Sequence, residues 1–319
     1  MSLVCREWSG CDPAVVEPLY AVEVERWRRE LGWEAARSWV EVERGRVGGT
    51  VKGFVAFDEA AAVGWTFGLL QPRLLLVGGL VAASEAATAL LLDALASTAA
   101  GAGVPAVGLF VFPEPPGLAR LLLRAGVPLL RYQYLSKRLS ERDARLPSEP
   151  SQHAGIRPWH AGDVAATAAL LAAAYPGADC SRPFAPDGTA AEWRQYVDEL
   201  VWTSGCGELL REASFVACDE RGSPTGAILT TRLAPSTAHV AQLAVQPAAQ
   251  GRGLGRRLLQ QACASARALG CDRVTLLVHP GNRRAARLYA QAGFTPAAQF
   301  VSARGPLGAR ERSALSLAG

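Results

Sequence analysis

The chain repeats itself. Residues 102–111, AGVPAVGLFV, lie over residues 269–278, LGCDRVTLLV, at an offset of 167, and Arg124-Ala125-Gly126-Val127 lies over Gln291-Ala292-Gly293-Phe294 at the same offset. Upstream, Leu80 falls on Leu243 at an offset of 163. A chain made of two copies of one unit has to bury the same alternation of strand and helix twice, which predicts two like domains in tandem. The length of 319 residues agrees, since it exceeds the ~100–200 residues of one domain. The polar stretch Arg138 to Gly155, with Leu-Pro-Ser-Glu-Pro-Ser at its centre and no apolar periodicity, reads as the linker. The expected domains are therefore 1–145 and 146–319.

The change of offset from 163 to 167 is informative. The second copy carries four extra residues between an apolar strand and the next helix, and they fall in Gln246 to Gly255. This isolates the glycine-rich run Gln250-Gly251-Arg252-Gly253-Leu254-Gly255 as something the first copy lacks. Glycines let successive amides approach an oxyanion without Cβ interference, and a helix beginning at Arg256 adds unpaired N–H donors and partial positive charge. A dinucleotide fingerprint needs G-x-G-x-x-G and a Walker loop needs G-K-[ST]; neither spacing is present.

Charge points to the same place. Residues 1–145 balance 16 basic against 16 acidic side chains, so the whole net charge of +4 arises in the second half. Between 252 and 287 stand Arg252, Arg256, Arg257, Arg267, Arg273, Arg283, Arg284 and Arg287 against the single acid Asp272. Such density suits a polyanionic ligand; the alternative is a solvated arginine-rich face.

The second half opens with a short strand at Ile156-Arg157 and a helix that Asp163 is placed to cap, followed by a helical stretch from Ala190 to Val201. Phe215 to Cys218 and Ala227 to Arg232 form a hairpin. Then come a strand at His239 to Val245, the glycine loop, a helix from Arg256 to Leu269, a strand at Val274 to Val278, a helix at Arg283 to Ala292, and a strand pair across Ala297 to Leu317. This order makes a mixed α/β (α+β) sheet with a parallel βαβ unit at its centre.

Downstream of the loop stand His279-Pro280-Gly281-Asn282, then Ala285-Ala286-Arg287-Leu288-Tyr289, then Ala292-Gly293-Phe294. With the Val245-Gln246-Pro247 turn and the Q-x-x-G-x-G loop, this N-x-x-A-x-x-L-Y-x-x-x-G-F segment resembles the GNAT superfamily of acyl-CoA-dependent N-acyltransferases. The resemblance covers about residues 156–317, with a weaker copy over roughly 50–139. It implies two tandem GNAT-like domains, each a mixed, mostly antiparallel sheet around a central parallel βαβ unit flanked by helices.

It also implies acetyl-CoA as cosubstrate. Pantetheine would lie between two splayed strands, against Leu243, Ala244 and Val245. Pyrophosphate would sit on the loop of Gln250, Gly251, Arg252, Gly253, Leu254, Gly255 and Arg256, with Asn282 and Arg287 meeting the cofactor from the far side. Tyr289 stands where the family commonly places the acid that protonates the departing thiolate, and its ordinary pKa of ~10 suits a thiol of ~8.5. The alternative for Tyr289 is a packed helix tyrosine. The family's base position falls on His239, a neutral imidazole near pH 7 unless it is simply a solvated residue at a strand edge. Glu208, Glu212 or an ordered water chain are the other possibilities for deprotonating the amine.

The first copy is expected to lack this chemistry. Tyr289 corresponds to Leu122, Asn282 to Pro115, His279 to Phe112 and His239 to Leu76, and the loop is replaced by Ala82-Ala83-Ser84-Glu85-Ala86. The expectation is an acetyltransferase that moves an acetyl group to a primary amine, with chemistry in the second copy only; a non-catalytic acyl-CoA sensor is the alternative. Acceptor choice in this family resides in segments that here span Ala172 to Leu210 and Ala303 to Arg312, which carry no readable motif.

Other classes fit poorly. A chain half apolar and 19% charged is not a disordered one. Its longest apolar runs, Leu74 to Ala83 and Val164 to Tyr175, stop short of the ~18–20 residues of a membrane span. Glu7 and Asp12 argue against a secretory leader, so a cytoplasmic location is expected. Seven cysteines without a C-x-x-C pair suggest free thiols, with no metal. No aromatic-interleaved basic tract supports nucleic-acid binding.

Overall fold

The computed structural model describes residues 3–71, 73–144, 155–175, 183–202 and 206–305. The first repeat runs β1 (Leu3–Glu7), α1 (Pro13–Leu31), α2 (Ala36–Val47), β2 (Val51–Asp58), β3 (Ala61–Gln71), β4 (Leu74–Ala82), α3 (Glu85–Gly101), β5 (Val107–Val111), α4 (Leu118–Arg124) and β6 (Leu129–Arg138). The second runs β7 (Ile156–Pro158), α5 (Val164–Ala174), α6 (Ala190–Trp202), β8 (Glu208–Leu209), β9 (Phe215–Cys218), β10 (Pro224–Ala234), β11 (Thr237–Val245), α7 (Leu254–Ala268), β12 (Arg273–Val278), α8 (Arg283–Gln291) and β13 (Thr295–Gly305). The order of elements after β2 is the same in both, as the offsets require. The second strand of the expected final pair lies outside the described residues.

Two compact units form, and each borrows its last strand. One unit holds β1 to β5 as a sheet in sequence order, and β13 pairs antiparallel with β5 from Val301 on Val111 to Gly305 on Val107. The other holds β7, β9, β10, β11 and β12, with β6 antiparallel to β12 from Gln133 on Val278 to Arg138 on Arg273. Residues 31–33 belong to this second unit as well. The boundary expected at 145/146 is not where the compact units divide, which is at 132/133 and 298/299. The two last strands are copies of one another, so the edge of either β5 or β12 finds the same pattern of backbone donors and acceptors in each.

Each sheet is packed on both faces. In the second unit α7 lays Leu254, Leu258, Leu259, Ala262 and Ala266 against Ile228, Ala238, Val240 and Leu276, a helical stripe of period near 3.6 meeting alternate strand residues. The opposite face holds α5 and α6, with Trp159, Leu171, Trp193 and Val197 on Leu229 and Ala244. Asp163 does not cap α5. Its carboxylate takes the Arg157 guanidinium at 2.7 and 2.8 Å and the His160 N–H at 3.0 Å, because a charge-assisted pair outcompetes a neutral helix donor.

Candidate active site

The strand ahead of the glycine loop is bent. β11 pairs with β10 out of step between Leu229 and Thr230, which leaves Ala241 as an extra residue, a β-bulge. β11 and β12 run parallel from Thr237 on Arg273 only as far as Val240 on Leu276, although β11 continues to Val245 and β12 to Val278. The two strands therefore part at the bulge and leave a slot.

Beyond the bulge, β11 turns alternate carbonyls into that slot. The Leu243 carbonyl accepts from the Tyr175 hydroxyl at 3.3 Å, and the Val245 carbonyl accepts from Gln250 Nε2 at 2.9 Å. Ala244, between them, pairs with Ala227 of β10, so its backbone belongs to the sheet.

The loop at the outer end has two residues in the left-handed region, Gly251 at φ +85° and Gly253 at φ +79°. No Cβ is tolerated there without strain, which is why the sequence carries glycine at both. Gly253 caps α7, and the helix starts at Leu254, two residues earlier than the sequence suggests, because Leu254 is itself a buried core residue. The first intrahelical bond runs from Arg257 N to the Gly253 carbonyl. The N–H groups of Leu254, Gly255 and Arg256 thus form the open first turn, with Arg252 exposed beside it.

Gln250 braces this loop, its Oε1 accepting from Arg284 at 2.5 Å while its amide holds Val245. Arg256 donates to Gln291 at 2.7 Å, and Asn282 caps α8 by accepting from the Ala285 N–H at 3.1 Å. Arg283, Arg284 and Arg287 are exposed on α8.

Tyr289 is buried in the same cluster as Leu243 and meets Phe294 edge-on, with ring centroids 5.9 Å apart. Burial pushes its hydroxyl well above the ordinary tyrosine range, with the nearby Tyr175 hydroxyl adding to the shift, so it carries its proton at every accessible pH.

His239 is not at a solvated edge. It is 2% exposed, and its ring stacks on Tyr134, a residue of the borrowed strand β6, with centroids 6.0 Å apart. The Tyr134 hydroxyl donates to the Leu31 carbonyl at 2.9 Å. Thr275 Oγ1 lies 2.9 Å from His239 Nδ1 and 3.3 Å from the Ala238 carbonyl, and it also meets the Tyr134 hydroxyl. Burial lowers the imidazole pKa to about 4, so it is neutral near pH 7.

The other side chains weighed as bases are Glu208 and Glu212. Glu208 is exposed and pairs in register with Arg232 on β10. Glu212 is exposed in a turn whose Ala213 packs on the α7 side. His279 accepts from the Gly281 N–H at 3.1 Å. Reading the sequence alone misses Tyr134 and Tyr175, neither of which lies in a motif, and Thr275, whose one signal is a hydroxyl inside an apolar strand.

The first repeat has the same backbone and a different lining. β4 bulges at Gly78, the counterpart of Ala241, and its parallel pairing with β5 ends at Val77 on Leu109, the counterparts of Val240 and Leu276. Where the phosphate loop would be, Ser84 caps α3 and Glu85 follows as its first residue. Glu85 pairs with Arg120, which occupies the position of Arg287, through a contact of 2.9 Å from Arg120 Nε and a second from Nη2. Gly117, at φ +73°, makes room for the Glu85 side chain: a Cβ there would lie 2.3 Å from Glu85 Cγ.

Among the described residues no group of His, Cys, Asp and Glu could hold a metal, six cysteines are free thiols, and no helix is long and apolar enough to cross a membrane. Cys180 lies outside the described residues.

Comparison with known proteins bears on the same segment. The family model for the acetyltransferase (GNAT) family matches residues 173–294, from the end of α5 through α8. A mycothiol acetyltransferase of Beutenbergia cavernae is 34% identical over 177 residues, which cover 44% of this chain and 55% of that protein. Another, of Kineococcus radiotolerans, is 34% identical over 220 residues and 66% of each chain. The match thus spans about half to two thirds of the length of these relatives. A GCN5-related N-acetyltransferase from Sphaerobacter thermophilus superposes with a TM-score of 0.64 over 95% of both chains at 18% identity, which speaks for the fold. With the glycine loop, the parted strands and the matched segment all in one place, the chain belongs to the GNAT family of acetyltransferases.

Proposed function

We propose that this protein transfers an acetyl group from acetyl-CoA to a primary amine, by direct attack while both substrates are bound, and that the chemistry is confined to the second repeat. What supports this reading is the parting of β11 from β12 beyond Val240, with two left-handed glycines ahead of α7 and Tyr289 buried in the cluster that includes Leu243. The fit to the cofactor rests on Gly251 and Gly253, whose left-handed backbones open a run of amides, and on the strand edge that β12 leaves unpaired.

In this reading the amides from Gly251 to Arg256 hold the pyrophosphate, helped by the helix terminus, with Arg252, Arg287 and Asn282 beside them. Leu243 and Val245 present the strand edge to the pantetheine arm. When bound, acetyl-CoA supplies an acyl group activated as a thioester. Tyr289 gives its proton to the thiolate as the C–S bond breaks.

The amine's proton leaves as the N–C bond forms. His239 is the proton acceptor on the amine side, its ring held by Thr275 at 2.9 Å and by the stack on Tyr134. A pKa of about 4 makes it a weak but always available base, which suits relay through water better than outright storage of the proton.

The experiment is an acceptor panel with acetyl-CoA and free-thiol detection, beginning with the acceptor used by mycothiol acetyltransferases. Thiol release that depends on one amine, with the acetylated product found by mass, supports the reading. Tight CoA binding with no transfer to any amine would favour an acyl-CoA sensor.

A further inference from the structure

Tyr175 stands at the end of α5, outside every motif of the chain, and its ring and its hydroxyl have separate partners. The ring stacks on Trp193 with centroids 5.6 Å apart, and Trp193 meets Tyr196 edge-on at 5.8 Å. Tyr196 in turn accepts from Gln242 Nε2 at 3.1 Å. The end of α5 and the face of α6 thereby form an aromatic wall over β11 just past its bulge. A phenylalanine at 175 would stack on Trp193 equally well, so the wall does not explain the hydroxyl.

The hydroxyl goes to the Leu243 carbonyl, two residues beyond the bulge. That carbonyl is one of the two β11 turns into the slot, and the other is held by Gln250. Tyr289 reaches the same end from α8 and packs in the cluster that includes Leu243 and Leu288. The two phenols are close enough for Tyr175 to add to the upward shift of the Tyr289 hydroxyl.

We propose that Tyr175 is a positioning residue for the proton transfer: its hydroxyl, anchored on the Leu243 carbonyl, holds the Tyr289 hydroxyl and the strand edge in register at the inner end of the slot. This rests on the acetyl-transfer reading above. Tyr175 acts through Tyr289 and the strand, donating no proton of its own to the reaction. The role is specific to the second repeat, where Tyr289 packs with Leu243; the first repeat has Leu122 in that place and nothing to position.

Tyr175→Phe keeps the ring and removes only the hydroxyl. It is expected to lower kcat about 10- to 100-fold, the order of loss seen when a reacting group is misplaced. Acetyl-CoA affinity, read by calorimetry, should stay within about threefold, because the glycine loop supplies most of the binding. In a Tyr289→Phe background the added loss should nearly vanish, since two groups in one unit are not additive.

A readout without turnover is the Tyr289 resonance in protein labelled at tyrosine Cζ, which should move on Tyr175→Phe in the free enzyme. An unchanged kcat, the same loss in both backgrounds, or an unmoved Tyr289 resonance overturns the proposal. A normal rate for Tyr289→Phe alone strikes instead at the acetyl-transfer reading, and takes this proposal with it.

Discussion

Both repeats bend the same strand at the same place and part it from its parallel neighbour at the same residue, yet only one slot is lined with polar groups. Gly78 and Ala241 are the two bulges, and Val77 and Val240 the last paired residues before them. Around these points the second repeat has His239, Gln242, Thr230, Thr275 and Tyr289, where the first has Leu76, Gly79, Phe67, Gly108 and Leu122. In the first repeat the Phe67 ring lies over the bulge so closely that a Cβ on Gly78 would be 2.3 Å from it. The slot is thus a property of backbone and core, maintained by apolar packing in both copies. The two copies differ there in a few side chains and one loop, and keep the same strand pairing without them.

If that separation is right, exchanging lining residues changes function and spares structure. The largest effect is expected from Tyr289→Phe, which removes the proton and keeps the packing against Phe294. Turnover should fall ~10²–10⁴-fold at unchanged acetyl-CoA affinity. Leu122→Tyr in the first repeat should restore nothing to that variant. Steady-state rates with calorimetric affinities decide it, and wild-type turnover in Tyr289→Phe across the pH range removes the tyrosine from the mechanism.

The loop comes next. Gly253→Glu places a side chain at φ +79° and a negative charge at the open first turn of α7, so acetyl-CoA affinity should drop about 100-fold or more. No atom lies within 4 Å of a Cβ there, so the fold should survive with the strain of one residue. Normal affinity in a folded Gly253→Glu protein would mean that the loop is only a helix entry.

Much of this comparison is legible in the amino-acid sequence. The repeat, the four-residue insertion and the loss of Tyr289, Asn282 and His239 in the first copy all rest on local sequence, where strand and helix periods are self-contained. The exchange of β6 and β13 is not legible there, because the two strands are near copies and pairing between distant segments leaves no local trace. That exchange is also why His239 reads as a solvated edge residue in sequence. Tyr134, whose ring stacks on it, comes from the first repeat's portion of the chain, as does Leu31, whose carbonyl holds the Tyr134 hydroxyl. Helix α7 begins early because Leu254 is drawn into the core, a tertiary demand that overrides the glycine run.

His239→Leu installs the first repeat's residue and tests burial through pH. In the folded protein the imidazole titrates at about 4 against an ordinary 6.5, so the unfolded state binds the extra proton first. The contribution is fully present above about pH 6.5 and is lost as pH falls toward 4. The wild type should lose on the order of 3 kcal/mol of stability over that window from this group, and His239→Leu should lack that part of the slope. Urea unfolding at pH 7, 5.5 and 4.5 measures it. Parallel slopes for the two proteins would show that the ring is hydrated in solution.

The smallest effect concerns the first repeat's closed anion position. Glu85 sits on the first turn of α3 and pairs with Arg120, the counterpart of Arg287, so an internal carboxylate stands where the second repeat keeps an arginine-lined helix terminus open. The pair is partly exposed, and a helix N-terminus favours an acid by only ~0.3–1 kcal/mol, so Glu85→Gln should change stability by less than about 1 kcal/mol. Its consequence should be electrostatic: Arg120 loses its partner and the helix terminus its negative charge. Wild-type protein should then bind one CoA per chain, and Glu85→Gln should add a second, weak anion site for inorganic pyrophosphate. That site should stay far weaker than the first, because the loop there is four residues shorter and lacks the left-handed glycines of Gly251 and Gly253. Phosphorus NMR of pyrophosphate with each protein, the second-repeat site blocked by CoA, reads the difference. A second tight site in the wild type, or none in a folded Glu85→Gln, breaks the comparison at its weakest joint: the first would mean that Glu85 is no barrier, the second that the missing loop alone closes the first repeat.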